Sequence, residues 1–146
     1  MMAVNLLGCF GAAAFFAWLF RTPARLVLPA SLTAVAGYAL SLVVGAWLNA
    51  HWAGVFVGSA CAALIGEMLA RKLRAPATIF LTVAIIPMVP GGGLYDTMLA
   101  IVQGRHADAA IAGANTMLSA GAIALGLSIA ASAVFTVRKH RREGRR

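Results

Sequence analysis

The chain has 146 residues, 62% of them hydrophobic and 11% charged, and a mean hydropathy of +0.88, far from the balance of a soluble domain. Crossing ~30 Å of hydrocarbon takes roughly 20 apolar residues, so this length accommodates about five helices and leaves no room for a soluble domain. The formal charge of +8 does not point to nucleic acid, because the basic residues fall at helix ends and on the C-terminal tail, with no soluble fold to present them.

The first apolar segment is expected over residues 2–20, ending at the basic turn Arg21-Thr22-Pro23-Ala24-Arg25. Its Leu6-Leu7-Gly8-Cys9 run looks like a lipoprotein cleavage box. No basic residue precedes it and the apolar region before it is short, so the helix is expected to be retained. A second helix is predicted over 28–48, with Pro29 tolerated in its first turn. The polar turn Asn49-Ala50-His51-Trp52 follows, with Trp47 and Trp52 suited to the headgroup level. A third helix over 53–70 is closed by Arg71-Lys72-Leu73-Arg74. A fourth segment, interrupted, spans 76–103. Gly104-Arg105-His106 then turns into a last helix over 107–137.

The expected fold is therefore an all-α integral membrane bundle of about five transmembrane helices over residues 1–137, with a basic cytoplasmic tail over 138–146. Five crossings place Arg21, Arg25, Arg71, Lys72, Arg74 and the tail on one side, which is eleven of the twelve Lys and Arg residues, and leave Arg105 opposite. The positive-inside rule then sets the N-terminus outside and the C-terminus in the cytoplasm. Cys9 and Cys61 have no metal-type spacing and read as small core residues.

Small residues recur every four positions as Gly37, Ser41 and Gly45 in the second segment, and as Gly54, Gly58, Ala62 and Gly66 in the third. Such stripes let helices approach closely, either within the bundle or against a partner subunit.

The fourth segment carries Ile86-Pro87-Met88-Val89-Pro90-Gly91-Gly92-Gly93-Leu94-Tyr95-Asp96. Pro87 and Pro90 remove amide donors, and three glycines are expected to favour an unwound backbone, tolerated in a membrane only within protein or beside water. One half-helix then ends near the midplane with free carbonyls, and a second begins with free amides. Amides around Gly92, Gly93 and Leu94 are placed to hold a carboxylate, with Tyr95 supplying a hydroxyl or a wall. The plainer alternative is a buried proline kink or re-entrant turn without ligand.

Asp96 is expected in the first turn of the second half-helix. It is either a proton carrier, since an ionised carboxylate at that depth is costly, or a cap for its own helix. Glu67 is four residues before Arg71, the spacing of an ion pair; Asp108 suits the dipole of the last helix, and Glu143 belongs to the tail. Asn115 and Ser119, with Thr116 alongside, share a face of the last helix and either line a substrate path or bond to neighbouring helices. His51, His106 and His140 read as solvated. Nothing calls for a metal or a cofactor, and no serine, histidine and acid fall at a common depth, so no enzyme is expected.

The Ile86–Gly91 run followed by Tyr95, the Phe20-Arg21-Thr22-Pro23-Ala24-Arg25 turn, and Gly126-Leu127-Ser128-Ile129 before a basic tail resemble the small-subunit half of the threonine/serine exporter family. The likeness covers nearly the whole chain. It implies a bacterial inner-membrane subunit that exports threonine and serine or, in split two-protein versions, C4 dicarboxylates such as succinate. It also implies a larger partner bearing the other half, and carries Pro87, Pro90, Gly91 and Tyr95 across as site residues; Asp96 is not part of the pattern. The leading expectation is a proton-driven exporter subunit with that partner. The alternative is a non-transporting scaffold or regulatory subunit, which needs the small-residue stripes and not the break.

Overall fold

A computed structural model describes the backbone of residues 2–143 and the side chains of residues 3–134. All of its regular structure is helical: α1 (Met2–Leu19), α2 (Ala24–Leu48), α3 (His51–Lys72), α4 (Ala77–Ile85), a single 3-10 turn (Ile86–Met88), α5 (Gly91–Val102) and α6 (His106–Glu143). The side chains of His140 and Glu143 and the remainder of the tail lie outside the described residues.

Short turns follow α1, α2, α3 and α5, each built on a left-handed residue, Arg21, Asn49, Arg74 and Gly104 in turn. The amide after each reaches five residues back: Thr22 N–H to Ala17 O (3.0 Å), Ala50 to Gly45 (3.1 Å), Ala75 to Ala70 (2.9 Å) and Arg105 to Ala100 (2.9 Å). These bonds satisfy carbonyls that a helix end would otherwise leave open.

Helix boundaries move by a few residues from expectation. α2 begins at Ala24 rather than residue 28, with Pro23 before it, so Pro29 lies inside the helix. Its missing amide leaves only the carbonyl of the exposed Arg25 without a donor, near the helix start where solvent is close. α3 starts at His51, and α6 runs on to Glu143, so helix continues into the basic stretch expected to be tail.

The two small-residue stripes face one another. A Cβ on Gly58 would lie 2.6 Å from Gly37 O and 2.7 Å from Ser41 Cβ, and one on Gly37 would lie 2.7 Å from Ala62 Cβ. Glycine is needed here because two backbones meet, which gives the α2–α3 pair its close crossing. The same device seats α6 on α3, where Gly126 abuts Ser59 and Phe56, and α4 on α3, where Gly66 faces Phe80. Phe80 is the largest of the fully buried side chains, in a core drawn mainly from α1 to α4 with Met88 of the 3-10 turn and Ile123 of α6. The stripes are therefore internal packing, not a free partner face.

α2, α3 and residues 106–134 of α6 are each long and apolar enough to cross a membrane, and α4 with α5 forms a bent pair of the same apolar character, the form of either a broken span or a re-entrant loop. α1 is a shorter apolar helix.

Candidate functional site: the break between α4 and α5

The bent pair turns by 42° at Val89-Pro90, halfway along its length. Pro87 has no N–H to offer the Val83 carbonyl, so the α-helix tightens into the 3-10 turn; Val89 N–H closes it on Ile85 O (3.2 Å) and Ile86 O (3.4 Å). Pro90, at φ −76° and ψ 58°, redirects the chain, and α5 starts at the next residue. The break is narrower than the unwound stretch the sequence suggested, because Gly91, Gly92 and Gly93 are helical. None has positive φ. Gly91 N–H turns back to Val89 O (2.7 Å) and Leu94 N–H to Pro90 O (3.1 Å), while Gly92 and Gly93 N–H remain helix-start amides without such a bond.

The break opens onto a cavity of about 620 Å³. Pro87, Pro90, Gly91, Gly92, Gly93, Asp96, Asn115 and Ser119 all line it, as does Thr116. Helix α6 brings the last three to the glycines because it runs back antiparallel to α5. Tyr95 is not brought there: it is 66% exposed on the outer side of α5. Asp96 lies in the second turn of α5, whose first turn holds no acid, so it does not cap the helix. Its carboxylate is exposed to the cavity and has no partner among the described residues.

The opposite wall was not legible as part of the site. Tyr38 and Ser41 of α2 and His51 of α3 line it, and Asp108 of α6 lies at the same mouth. His51 reads as a solvated turn residue in sequence, and it is exposed; its place at the cavity comes from the α2–α3 crossing. Ser41 is visible in sequence only as a member of a packing stripe. Asp108 is paired with Arg105 (2.9 Å), which also holds Gln103. Glu67 and Arg71 form the expected i,i+4 pair at 3.9 Å, away from the cavity.

Every buried hydroxyl on the cavity wall donates its proton to its own helix: Ser41 to Tyr38 O (2.7 Å), Thr116 to Ala112 O (2.8 Å) and Ser119 to Asn115 O (2.9 Å). None bonds to a neighbouring helix. Each oxygen therefore meets the cavity as an acceptor. The wall is acceptor-rich around Asp96 and Asp108, and donor groups concentrate at the glycine amides, Asn115 and His51.

A bundle of apolar helices in which one broken helix opens on a cavity with a few converging polar groups is an arrangement that secondary transporters use. A family model described as Threonine/Serine exporter, ThrE, matches residues 5–133. The chain belongs to the threonine/serine exporter family, and is accordingly a multi-pass membrane protein of a transporter family rather than of an enzyme family. No solved structure matches it.

Proposed function

We propose that this chain is one subunit of a proton-driven secondary exporter of threonine or serine, completed by a larger subunit that bears the family's other half. In this reading the chain crosses the bacterial inner membrane five times, α1 included, with its N-terminus outside and its C-terminus in the cytoplasm. The observation that carries the reading is that Asn115 and Ser119 of α6 line the same cavity as Pro87, Pro90, Gly91, Gly92, Gly93 and Asp96 of the broken helix.

Within that cavity the Gly92 and Gly93 amides, at the positive end of α5, take the substrate carboxylate. The ammonium group turns to Asp96 and the acceptor hydroxyls. The lining residues carry two carboxylates, Asp96 and the Arg105-paired Asp108, with the His51 imidazole and the Tyr38 phenol, and include no lysine or arginine. A C4 dicarboxylate would bring a second negative charge against that wall, so the electrostatics favour an amino acid. Asp96, unpaired and open to the cavity, is also the carboxylate placed to carry the coupling proton. The scaffold alternative loses its support, since the stripes it needs are closed between α2 and α3.

The test is export from cells deleted for the chain and its partner. Restoring both should lower intracellular threonine or serine and leave C4 dicarboxylates unchanged; restoring this chain alone should not. Gly92→Val should abolish export while assembling normally, because a Cβ there meets nothing within 4 Å and projects into the site. Normal export by assembled Gly92→Val protein would overturn the assignment of the break as the substrate site.

A further inference from the structure

The half-helix that carries the site has one substantial seat: α5 packs principally against α6, whereas α4 is embedded among α1, α2 and α3. That seat has a specific form. A Cβ on Gly93 would run into Thr116 Oγ1 and lie 3.4 Å from Thr116 Cβ, with no other group among its nearest neighbours. One turn along, the relation reverses: a Cβ on Gly113 would lie 3.4 Å from Thr97 Cγ2. Each helix thus offers a glycine to a threonine of the other, in the register of antiparallel helices. Both threonines are fixed, Thr97 by donating to Gly93 O (2.6 Å) and Thr116 by donating to Ala112 O (2.8 Å). Thr116 is buried as well.

We infer that Gly93 and Thr116 are a positioning pair. Gly93 differs from its neighbours in role: Gly91 and Gly92 have open space where a side chain would go, and Gly93 is where α5 bears on α6. The absence of a side chain at 93 lets Thr116 sit against the α5 backbone, and that contact fixes where the Gly92 amide and Asp96 stand over the cavity. A methyl group at 93 can be accommodated only if Thr116 rotates off the Ala112 carbonyl or α5 lifts from α6, and either displaces the start of α5. A Cβ on Gly113 would sit at the near edge of ordinary contact with a side-chain methyl group and overlap nothing, so Gly113 tolerates the same change.

The inference rests on the break being the transport site, and the test separates the two. Threonine export is measured in deleted cells restored with partner and chain, for Gly93→Ala in the parent, Thr116→Ala and Thr116→Val backgrounds. Gly93→Ala should reduce export at least ten-fold in the parent and with Thr116→Val, which keeps a methyl group in place of Oγ1. On top of Thr116→Ala, which leaves only the 3.4 Å Cβ contact, it should have less than a two-fold effect on export and should leave the cross-link described below undiminished. Gly113→Ala should export at close to the parent rate. In a chain with Cys9 and Cys61 replaced by serine, Thr97→Cys with Gly113→Cys should form a disulfide across the seam, and Gly93→Ala should suppress it. Equal loss from Gly93→Ala in all three backgrounds, or lost export with an undiminished cross-link, would overturn the positioning role and leave Gly93 only the substrate-facing amide. The substrate-site assignment stands or falls separately, on Gly92→Val.

Discussion

One chemical change made at two places should move stability in opposite directions. A Cβ on Gly54 would overlap Ser41 O and lie 2.6 Å from Gly45 N and 2.7 Å from Gly45 Cα. All three are backbone atoms, which cannot rotate aside. Bringing even the 2.6 Å approach to an ordinary separation of ~3.5 Å requires α2 and α3 to part by at least about 0.9 Å, and the closer Ser41 O by more. Overpacking of this kind costs ~1–3 kcal/mol, and backbone contacts put it at the upper end. Alanine returns ~1 kcal/mol of helix propensity, leaving Gly54→Ala destabilised by about 2 kcal/mol. At Gly91 the backbone is equally helical and a Cβ meets nothing within 4 Å, so Gly91→Ala keeps the propensity gain of at most ~1 kcal/mol without the clash. For a chain of this size 1 kcal/mol shifts Tm by roughly 2–4 °C. Thermal unfolding in detergent, followed by tryptophan fluorescence from Trp47 and Trp52 beside the α2–α3 turn, should show Gly54→Ala melting roughly 4–8 °C below the parent, on that same scale, and Gly91→Ala at or slightly above it. Gly54→Ala melting at or above the parent would refute the close α2–α3 crossing, and with it the placement of Tyr38, Ser41 and His51 on one cavity wall.

Asp96→Asn should abolish gradient-driven export while leaving threonine exchange measurable, since the amide keeps the shape of the side chain and cannot carry a proton; counterflow in vesicles with and without a pH gradient checks it, and unimpaired gradient-driven export would remove Asp96 from coupling. Reporter fusions after Arg74 and Arg146 should read cytoplasmic and one after His106 external, and a cytoplasmic reading at His106 would remove the five-crossing topology.

Much of this architecture is written locally. Apolar runs separated by Arg21-Thr22-Pro23, Asn49-Ala50 and Arg71-Lys72-Leu73-Arg74 define helices and turns because chain in lipid must satisfy its backbone within each segment. Pro87 and Pro90 define the break because a missing amide acts on the residues beside it. Asn115 and Ser119 were legible as site candidates because polar groups on an apolar helix are few and costly.

Other features depended on which helices meet. The glycines read as unwound and proved helical: two prolines suffice for the break, and α5 restarts as soon as Pro90 has turned the chain. Asp96 was placed one turn too early for the same reason. Whether the stripes of Gly37 and Gly58 served this bundle or a partner was undecidable from spacing, since both uses require the same small residues; the crossing of α2 on α3 decided it. Tyr95 and Asp96 are adjacent in sequence, yet the rotation of α5 on α6 turns one outward and the other to the cavity. His51 gains its place from how α3 crosses α2, which the turn between them does not reveal. Sequence alone determined the helices, their turns and the point of interruption, because backbone hydrogen bonding and lipid act segment by segment; which residues share the cavity was decided by the tertiary structure, because that depends on how each helix is rotated against its neighbours.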